Sequence, residues 1–430
     1  MGKTEEFLER HMISSSAVDE EKTLSFILSE MEKGLAVEDS SSLQMIPTYV
    51  SPDAEIVPGK SVIVMDAGGT NFRTCLVTFD ENKHPVISDF RKVGMPGVKE
   101  EVSAAEFYSI LADNIERLID KSDRIGFCFS YAAKITEDHD GIPIVFSKEI
   151  KAPEVIGKPL GKNLLAELKR RGHDVSGKKV AVVNDTVATL LAAKAARPDY
   201  ASSYIGFILG TGTNTAYTER NDRIGKISIN DGREIINVES GCLAIELGDL
   251  DKEFVSGTKD PGKYWFEKKI SGAYLGPFAE HVIKAAVKEG VLTKGFGERF
   301  EAYLPLDTTR MSHYLEDCHN KDYDLVKAVG DNEEDATALY KIIKSIIERA
   351  GKLTAINLTA AVLRSDAGTE PRLPVVINAD GTTFYKTAFL EFYTRLYLDE
   401  LLEKKHGRYY EIVNIENSPT LGAAIAGLAI

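Results

Sequence analysis

An α/β fold of two domains is predicted by three features of this sequence. Strand-like apolar runs alternate with helix-like segments along most of the chain, the pattern of sheets covered by helices on both faces. A length of 430 residues is long for one domain and comfortable for two. A glycine-rich strand–turn–strand segment near the N-terminus also returns in related form farther along, which points to two related halves facing one another.

The elements follow in order. Leu24, Ile27, Leu28, Met31 and Leu35 recur at helical spacing between about Asp19 and Leu35, a surface helix with one buried stripe. Ser40-Ser41-Ser42 marks a loop. Gly59-Lys60-Ser61 ends like a P-loop, but the first glycine of that pattern would have to stand at Ala54, and Pro58 intrudes. It reads as a turn before the first strand cluster, Ser61 to Asp80. A helix is expected from Ala104 to Ile119, a short strand from Ile125 to Phe129 ending at Ser130, and an amphipathic helix from Asn163 to Arg171, closed by Gly172. Val180 to Val183 is a buried strand, followed by Asn184-Asp185-Thr186 and the Ala-rich helix Val187 to Ala196. Lys263 to about Leu363 is mostly helical, and Val375-Val376-Ile377 restores a strand. No linker-like stretch divides the chain, so the two domains are expected to interleave.

Composition excludes several classes of function. An apolar share of 43% with 27% charged residues is that of an ordinary soluble globular protein. The net charge of −14 argues against nucleic acid or a membrane surface as partner, since both require a basic field. Cys75, Cys128, Cys242 and Cys318 are scattered and form no C-x-x-C, so neither zinc nor a disulfide framework is expected. Met1 to Glu6 is polar, has no h-region, and places Glu6 where a myristoylation signal has Ser or Thr. No apolar run approaches the roughly 20 residues of a membrane span. A cytoplasmic protein is expected.

The chemistry begins at Asp66-Ala67-Gly68-Gly69-Thr70-Asn71-Phe72-Arg73, placed after the apolar run Val62 to Met65 and before Cys75-Leu76-Val77. Adjacent glycines let backbone N–H groups approach a bulky anion, because no Cβ stands in the way. Asp66 at the strand end could hold hydrated Mg²⁺, the usual escort of a polyphosphate. The same residues also read as an ordinary glycine hairpin. The related segment is Ile205 to Leu209 followed by Gly210-Thr211-Gly212-Thr213-Asn214, and it repeats the tripeptide Gly-Thr-Asn in the same setting. Two such hairpins suggest two domains closing on a nucleotide, and acidic net charge does not oppose ATP because backbone amides and Mg²⁺ act locally.

Asn184-Asp185 is the natural seat of catalysis. A carboxylate just past a buried strand, where a helix begins, is held rigidly and faces the crevice above the sheet. Asp there also reads as a helix N-terminal residue. Ser130, Ser147-Lys148, Asn214, Glu239 and Glu267 are polar residues that could converge with it, each with a plainer reading as turn residue or solvated charge.

Together these segments resemble a hexokinase of the actin-like ATPase superfamily, of the eukaryotic single-unit type. Asp66 to Arg73 is similar to the family's first phosphate motif, Val182 to Thr186 to its catalytic segment, and Leu209 to Asn214 to its second phosphate motif. Asn237-Val238-Glu239-Ser240-Gly241 and Pro261 to Gly272 resemble its two sugar-binding glutamate segments, and Asp380-Gly381-Thr382 its adenosine-side motif. The similarity runs in family order over nearly the whole chain. It implies an actin-like ATPase (ribonuclease H-like) fold with a cleft between a small domain, 61–185 plus 418–430, and a large one, 1–60 plus 186–417.

The resemblance implies transfer of the γ-phosphoryl group of Mg-ATP to the 6-hydroxyl of glucose or a related hexose. Asp185 would be the general base and Lys148 the cation beside the transferring group. Ser130, Ser147, Lys148, Asn184, Asp185, Asn214, Glu239 and Glu267 would bind the sugar. ATP would meet Asp66, Gly68, Gly69, Thr70, Asn71 and Arg73, then Gly210, Thr211, Gly212 and Thr213, then Gly381 and Thr382, with Asp66 orienting Mg²⁺ through water. Departures from the family pattern cluster on the sugar side, at Phe129 to Lys134 and Val145 to Ile150, with Ser240 where a Trp is usual. Two other functions suit the same residues: a kinase of another sugar on this fold, and a hexokinase-like sensor without turnover.

Overall fold

The computed structural model of the protein describes residues 2–52, 55–146, 150–196, 200–246 and 248–430. Ser147 and Lys148, both expected in the site, lie outside the described residues. In chain order the strands are β1 (Ile46–Pro47), β2 (Ser61–Gly68), β3 (Asn71–Phe79), β4 (Pro85–Gly94), β5 (Arg124–Phe129), β6 (Ala133–Ile135) and β7 (Gly141–Pro143). They continue with β8 (Lys179–Val183), β9 (Ser203–Leu209), β10 (Thr213–Arg220), β11 (Arg233–Asn237), β12 (Val375–Asp380) and β13 (Tyr410–Val413). Among the described residues they form a five-stranded sheet, β4-β3-β2-β5-β8, a six-stranded sheet, β1-β11-β10-β9-β12-β13, and the small pair β6-β7.

Side-chain alternation explains why β2 reads as one continuous apolar run. Ile63, Met65 and Ala67 enter a core with Phe107, Leu111 and Leu164. Val62 and Val64 point the other way, into a core with Val187, Leu191 and Ala424. A strand buried on both faces has no polar side to show. It pairs antiparallel with β3 and parallel with β5, which in turn runs parallel to β8. The carboxyl ends of β2, β5 and β8 therefore share one edge of the sheet, and Gly68, Ser130 and Asn184-Asp185 stand there.

The six-stranded sheet repeats this plan, with β9 antiparallel to β10 and parallel to β12. Two helices, Asp185–Ala196 and Ser418–Leu428, lie between the sheets, and their apolar residues share one core with strands of both. Their approach is close: a Cβ on Gly422 would stand 1.9 Å from the carbonyl oxygen of Ala188. Glycine is required there because no backbone atom can yield that much.

Element boundaries differ from expectation where capping decides them. The first long helix is Glu20–Ala36, with the Asp19 carboxylate accepting from the Lys22 N–H at 3.0 Å. The helix expected to end at Ile119 stops at Ile115 and continues as a 3₁₀ turn, Glu116–Lys121. The helix expected from Asn163 starts at Leu160, and the one expected from Val187 starts at Asp185. Elements beyond those expected include helix Lys3–Arg10, the edge strand β4, strands β11 and β13, and helix Leu390–Leu398. β4 is exposed along most of its length, which corrects the expectation that the sheets are covered throughout. No helix among the described residues is long and apolar enough to cross a membrane.

Candidate active site

The first glycine turn closes β2 onto β3, with Gly68 opposite Asn71 and Gly69-Thr70 between them. Gly69 has φ +55°, which a hairpin turn of this type requires and an L side chain resists. The Tyr131 hydroxyl donates to the Gly69 carbonyl and ties the segment after β5 to the turn. Asp66 is buried, and its Oδ2 accepts from Arg73 Nη1 at 2.7 Å. Burial holds the Asp66 carboxyl above its ordinary range, against the guanidinium of Arg73. Arg73, expected on the ATP side, thus stands as the partner of Asp66.

Asp185 opens its helix directly after β8. The Asn184 side chain caps that helix, accepting from the Thr186 N–H at 2.9 Å. Burial pushes the Asp185 carboxyl above the usual carboxylate range, with the charge of Asp66 adding to it. Hydrogen bonds from Ser130 and from the N–H and hydroxyl of Thr186 oppose that rise. Ser130 is therefore brought beside Asp185, where its hydroxyl can orient the carboxylate as well as meet a substrate.

The second turn faces this site from the other sheet. Leu209 pairs with Thr213 across Gly210-Thr211-Gly212. The Gly210 carbonyl accepts from the Gly272 N–H at 2.9 Å and the Thr383 hydroxyl at 2.8 Å. Thr213 directs its N–H to Glu267 Oε2 at 3.1 Å and its hydroxyl to the Ile208 carbonyl at 3.0 Å. Both donors of Thr213 are thus engaged within the protein, which leaves phosphate contact to the rest of the turn. A Cβ on Gly212 would stand 2.5 Å from Glu267 Oε2, so the turn's second glycine makes room for that carboxylate.

Glu239 and Glu267 border the same space. Glu239 sits in the left-handed region at φ +56°, just past β11. Its Oε1 accepts from Asn237 Nδ2 at 2.8 Å and Asn214 Nδ2 at 3.2 Å. Burial raises the Glu239 carboxyl, and the charges of Asp185 and Glu267 raise it further against the two amides. Burial also raises Glu267, against the Thr213 N–H and the charge of Lys268. Asn214 is itself fixed, its Oδ1 accepting from the N–H of Thr215 at 2.7 Å and of Ser240 at 3.3 Å. Beneath them runs a buried chain in which Asn357 Nδ2 donates to Thr215 Oγ1 at 2.8 Å, 3.1 Å from the Ser240 hydroxyl. Ser240 thus has a packing reason for standing where the resemblance leads one to expect Trp.

Asn184, Asp185, Asn214, Glu239 and Glu267 are brought together as expected, with Ser130 beside them. Asn237 and Tyr131 were missed. Asn237 ends β11, and the alternation of a strand does not carry on to Glu239, which has turned into the left-handed region. Tyr131 carries no local signal, because its partner is set by tertiary folding. A cavity of about 750 Å³ opens beside the glutamates between Ser41, Gln44, Lys134, Cys242 and Tyr264. A second, of about 460 Å³, is lined by Thr211, Ala273, His313, Thr382 and Lys386. Gly381, at φ +117°, packs against the Leu209 carbonyl and so abuts the second turn. A third cavity, of about 730 Å³ near Tyr314 and Tyr340, lies apart from the site.

Two sheets, each carrying a glycine turn beside buried carboxylates, have an actin-like ATPase fold, and solved structures share it. The hexokinase of Schistosoma mansoni complexed with glucose superposes with a TM-score of 0.77 at 24% identity, covering 99% of both chains. The ROK hexokinase of Thermus thermophilus superposes with a TM-score of 0.54 at 16% identity, covering 85% of this chain and 97% of that one. Two family models described as Hexokinase match residues 3–195 and 204–429. The chain belongs to the hexokinase family. It is 30% identical to mouse Hexokinase-1 over 403 residues, 88% of this chain and 41% of that protein. It is 28% identical to Schistosoma mansoni hexokinase over 442 residues, 96% of this chain and 94% of that protein. The chain thus spans less than half the length of the mammalian relatives it matches.

Proposed function

We propose that this chain is an ATP-dependent hexokinase, transferring the γ-phosphoryl group of ATP to the 6-hydroxyl of glucose or a related hexose. The observation that carries this reading is the gathering of Asp185, Asn214, Glu239 and Glu267, with Asp185 beside Asp66 of the first glycine hairpin and Glu267 bonded to Thr213 of the second. The glucose in the Schistosoma mansoni hexokinase structure supports glucose as the acceptor.

Asp185 accepts the proton of the 6-hydroxyl as that oxygen forms its bond to the γ-phosphorus, and the bond to the ADP oxygen breaks. A raised pKa makes this carboxylate a stronger base than an exposed one, and Ser130 with Thr186 fixes its direction. Glu239, Glu267, Asn184 and Asn214 bind sugar hydroxyls; a wrong epimer would leave one of these buried groups unpaired. The turns at Gly68 to Asn71 and Gly210 to Gly212 hold the polyphosphate, with Thr213 tying the second turn to Glu267; Thr382 and Gly381 border the adenosine, and Lys148 adds positive charge. Ser147 joins the sugar set.

Asp66 fits a role beside magnesium. Among the described residues no group of three or more His, Cys, Asp or Glu forms a metal cage, and magnesium on a nucleotide does not require one. Asp66 keeps one carboxylate oxygen engaged by Arg73 and the other beside Gly68, where it can hold a metal-bound water. Asp66 would hold magnesium there through water, and the ion would supply neutralisation of the phosphate charge. We further propose that 61–185 with 418–430 closes as a small domain on 1–60 with 186–417, excluding water. The free cysteines and acidic charge favour a cytoplasmic setting.

ADP release with Mg-ATP against glucose, fructose, mannose, glucosamine, N-acetylglucosamine and no sugar tests the reading. Sugar-dependent release with glucose, abolished in Asp185→Ala, is the expected result. Release with a different sugar moves the function to that kinase. Glucose binding without release with any sugar makes the protein a sensor.

A further inference from the structure

Three charged side chains lie in the core behind the proposed sugar site. Asp251 and Lys269 expose 2% and 1% of their side chains, and Arg349 exposes 1%. Lys269 Nζ donates to Asp251 Oδ1 at 3.2 Å. Arg349 grips the same carboxylate with Nη1 on Oδ2 at 2.8 Å and Nη2 on Oδ1 at 3.0 Å. It also donates to the Met12 carbonyl at 2.8 Å. Burying such a cluster gains little stability over apolar side chains of the same volume, so its role lies elsewhere.

Lys269 belongs to the four-residue helix Glu267–Ile270, whose first residue is Glu267. One helical turn has almost no stability of its own, and its orientation is set by what anchors it. Two lysines do so. Lys268 Nζ donates to the carbonyls of Asp260 and Lys263, holding the preceding loop. Lys269 binds the turn to helix Asp249–Ser256 through Asp251, and its ammonium stands 5.5 Å from the centre of the Trp265 ring.

We propose that Lys269, through its ion pair with Asp251, is a positioning residue that sets Glu267 for the sugar and releases it when the ammonium loses its proton. This rests on the reading of Glu267 as a sugar ligand. Burial lowers the Lys269 pKa to about 8; the neighbouring Arg349 charge lowers it too, while Asp251 and Glu246 oppose both. Among the described residues these three charges act most on Lys269, and Lys268 turns to the Asp260–Lys263 loop. After deprotonation Asp251 keeps its two-pronged bond to Arg349 and Lys268 still holds the preceding loop, so the fold persists while the turn bearing Glu267 loses its charged tie to helix Asp249–Ser256.

The test is sugar KM and kcat of the full chain at saturating Mg-ATP, from about pH 6.5 to about pH 9.5. Sugar KM is expected to rise about tenfold through the Lys269 titration, the loss of one well-placed hydrogen bond, while kcat holds. Lys269→Met should show the raised KM at every pH, and Lys269→Arg a low KM with no alkaline rise. A wild-type KM independent of pH, or an unaltered alkaline rise in Lys269→Met, overturns the proposal. The wild-type profile decides alone if a variant does not fold. Glu267→Ala separates the two readings. An unchanged KM there removes Glu267 from the sugar site and Lys269 with it. A raised KM beside a flat wild-type profile removes only Lys269.

Discussion

Asp185, the proposed base, is a carboxylate buried at the cost of the fold around it. Its pKa is raised by burial and by Asp66, so the folded protein holds the proton more tightly than the unfolded chain does. Stability from this group is therefore full below the ordinary carboxylate range and declines as pH rises through the folded value. Asp185→Asn should raise Tm at neutral pH by about 1–3 °C while lowering kcat by at least about 10³-fold, read by calorimetry and ADP release. The same shift predicts that kcat/KM falls on the acid side above the ordinary carboxylate range, because the protonated form is no base. A profile flat down to the ordinary range would mean that the essential carboxyl titrates unshifted in the free enzyme. At this scale the site was largely legible: Asp185, Glu239 and Glu267 follow strands or open helices in recognisable order. Asn237 and Tyr131 were not: Asn237 meets Glu239 only because the chain turns left-handed past β11, and Tyr131 meets the Gly69 carbonyl only through tertiary folding.

At the scale of elements, the first glycine turn depends on contacts from outside its own hairpin. The Tyr131 hydroxyl restrains Gly69 from the segment that follows β5, so the backbones proposed to face sugar and phosphate share a bond. Tyr131→Phe should raise the KM for ATP by about fivefold, one neutral hydrogen bond, with the sugar KM unmoved. Equal rises in both would mean a general loosening instead. Gly69→Ala forces a Cβ into φ +55° and should destabilise the protein by about 1 kcal/mol, seen as a lower midpoint in urea. The buried strands and the alanine-rich helix were legible from their apolar runs. β4 and helix Lys3–Arg10 were not, since an exposed edge and a short charged helix carry little periodic contrast.

For the whole molecule, the two-sheet plan was legible from the repeated glycine hairpins and the absence of a linker, though neither reveals which strands neighbour which. The six-stranded sheet joins residues near 46, 203–237 and 375–413, pairings that no local pattern encodes. Gly422→Val, placed where the terminal helix meets Ala188, should lower Tm by more than about 5 °C, since backbone would have to move. An unchanged Tm would mean that this helix can shift without loss.

Helix Ser418–Leu428 lies on strands made far earlier, with Ala423, Ala424 and Ile425 filling the core beside Val62, Val64 and Val183. On a translating ribosome, the five-stranded sheet can thus gather its strands early but remains open on one face until this late segment emerges. Nascent chains arrested before Ser418 should expose that apolar face and recruit holding chaperones, whereas chains extended past Leu428 should shed them.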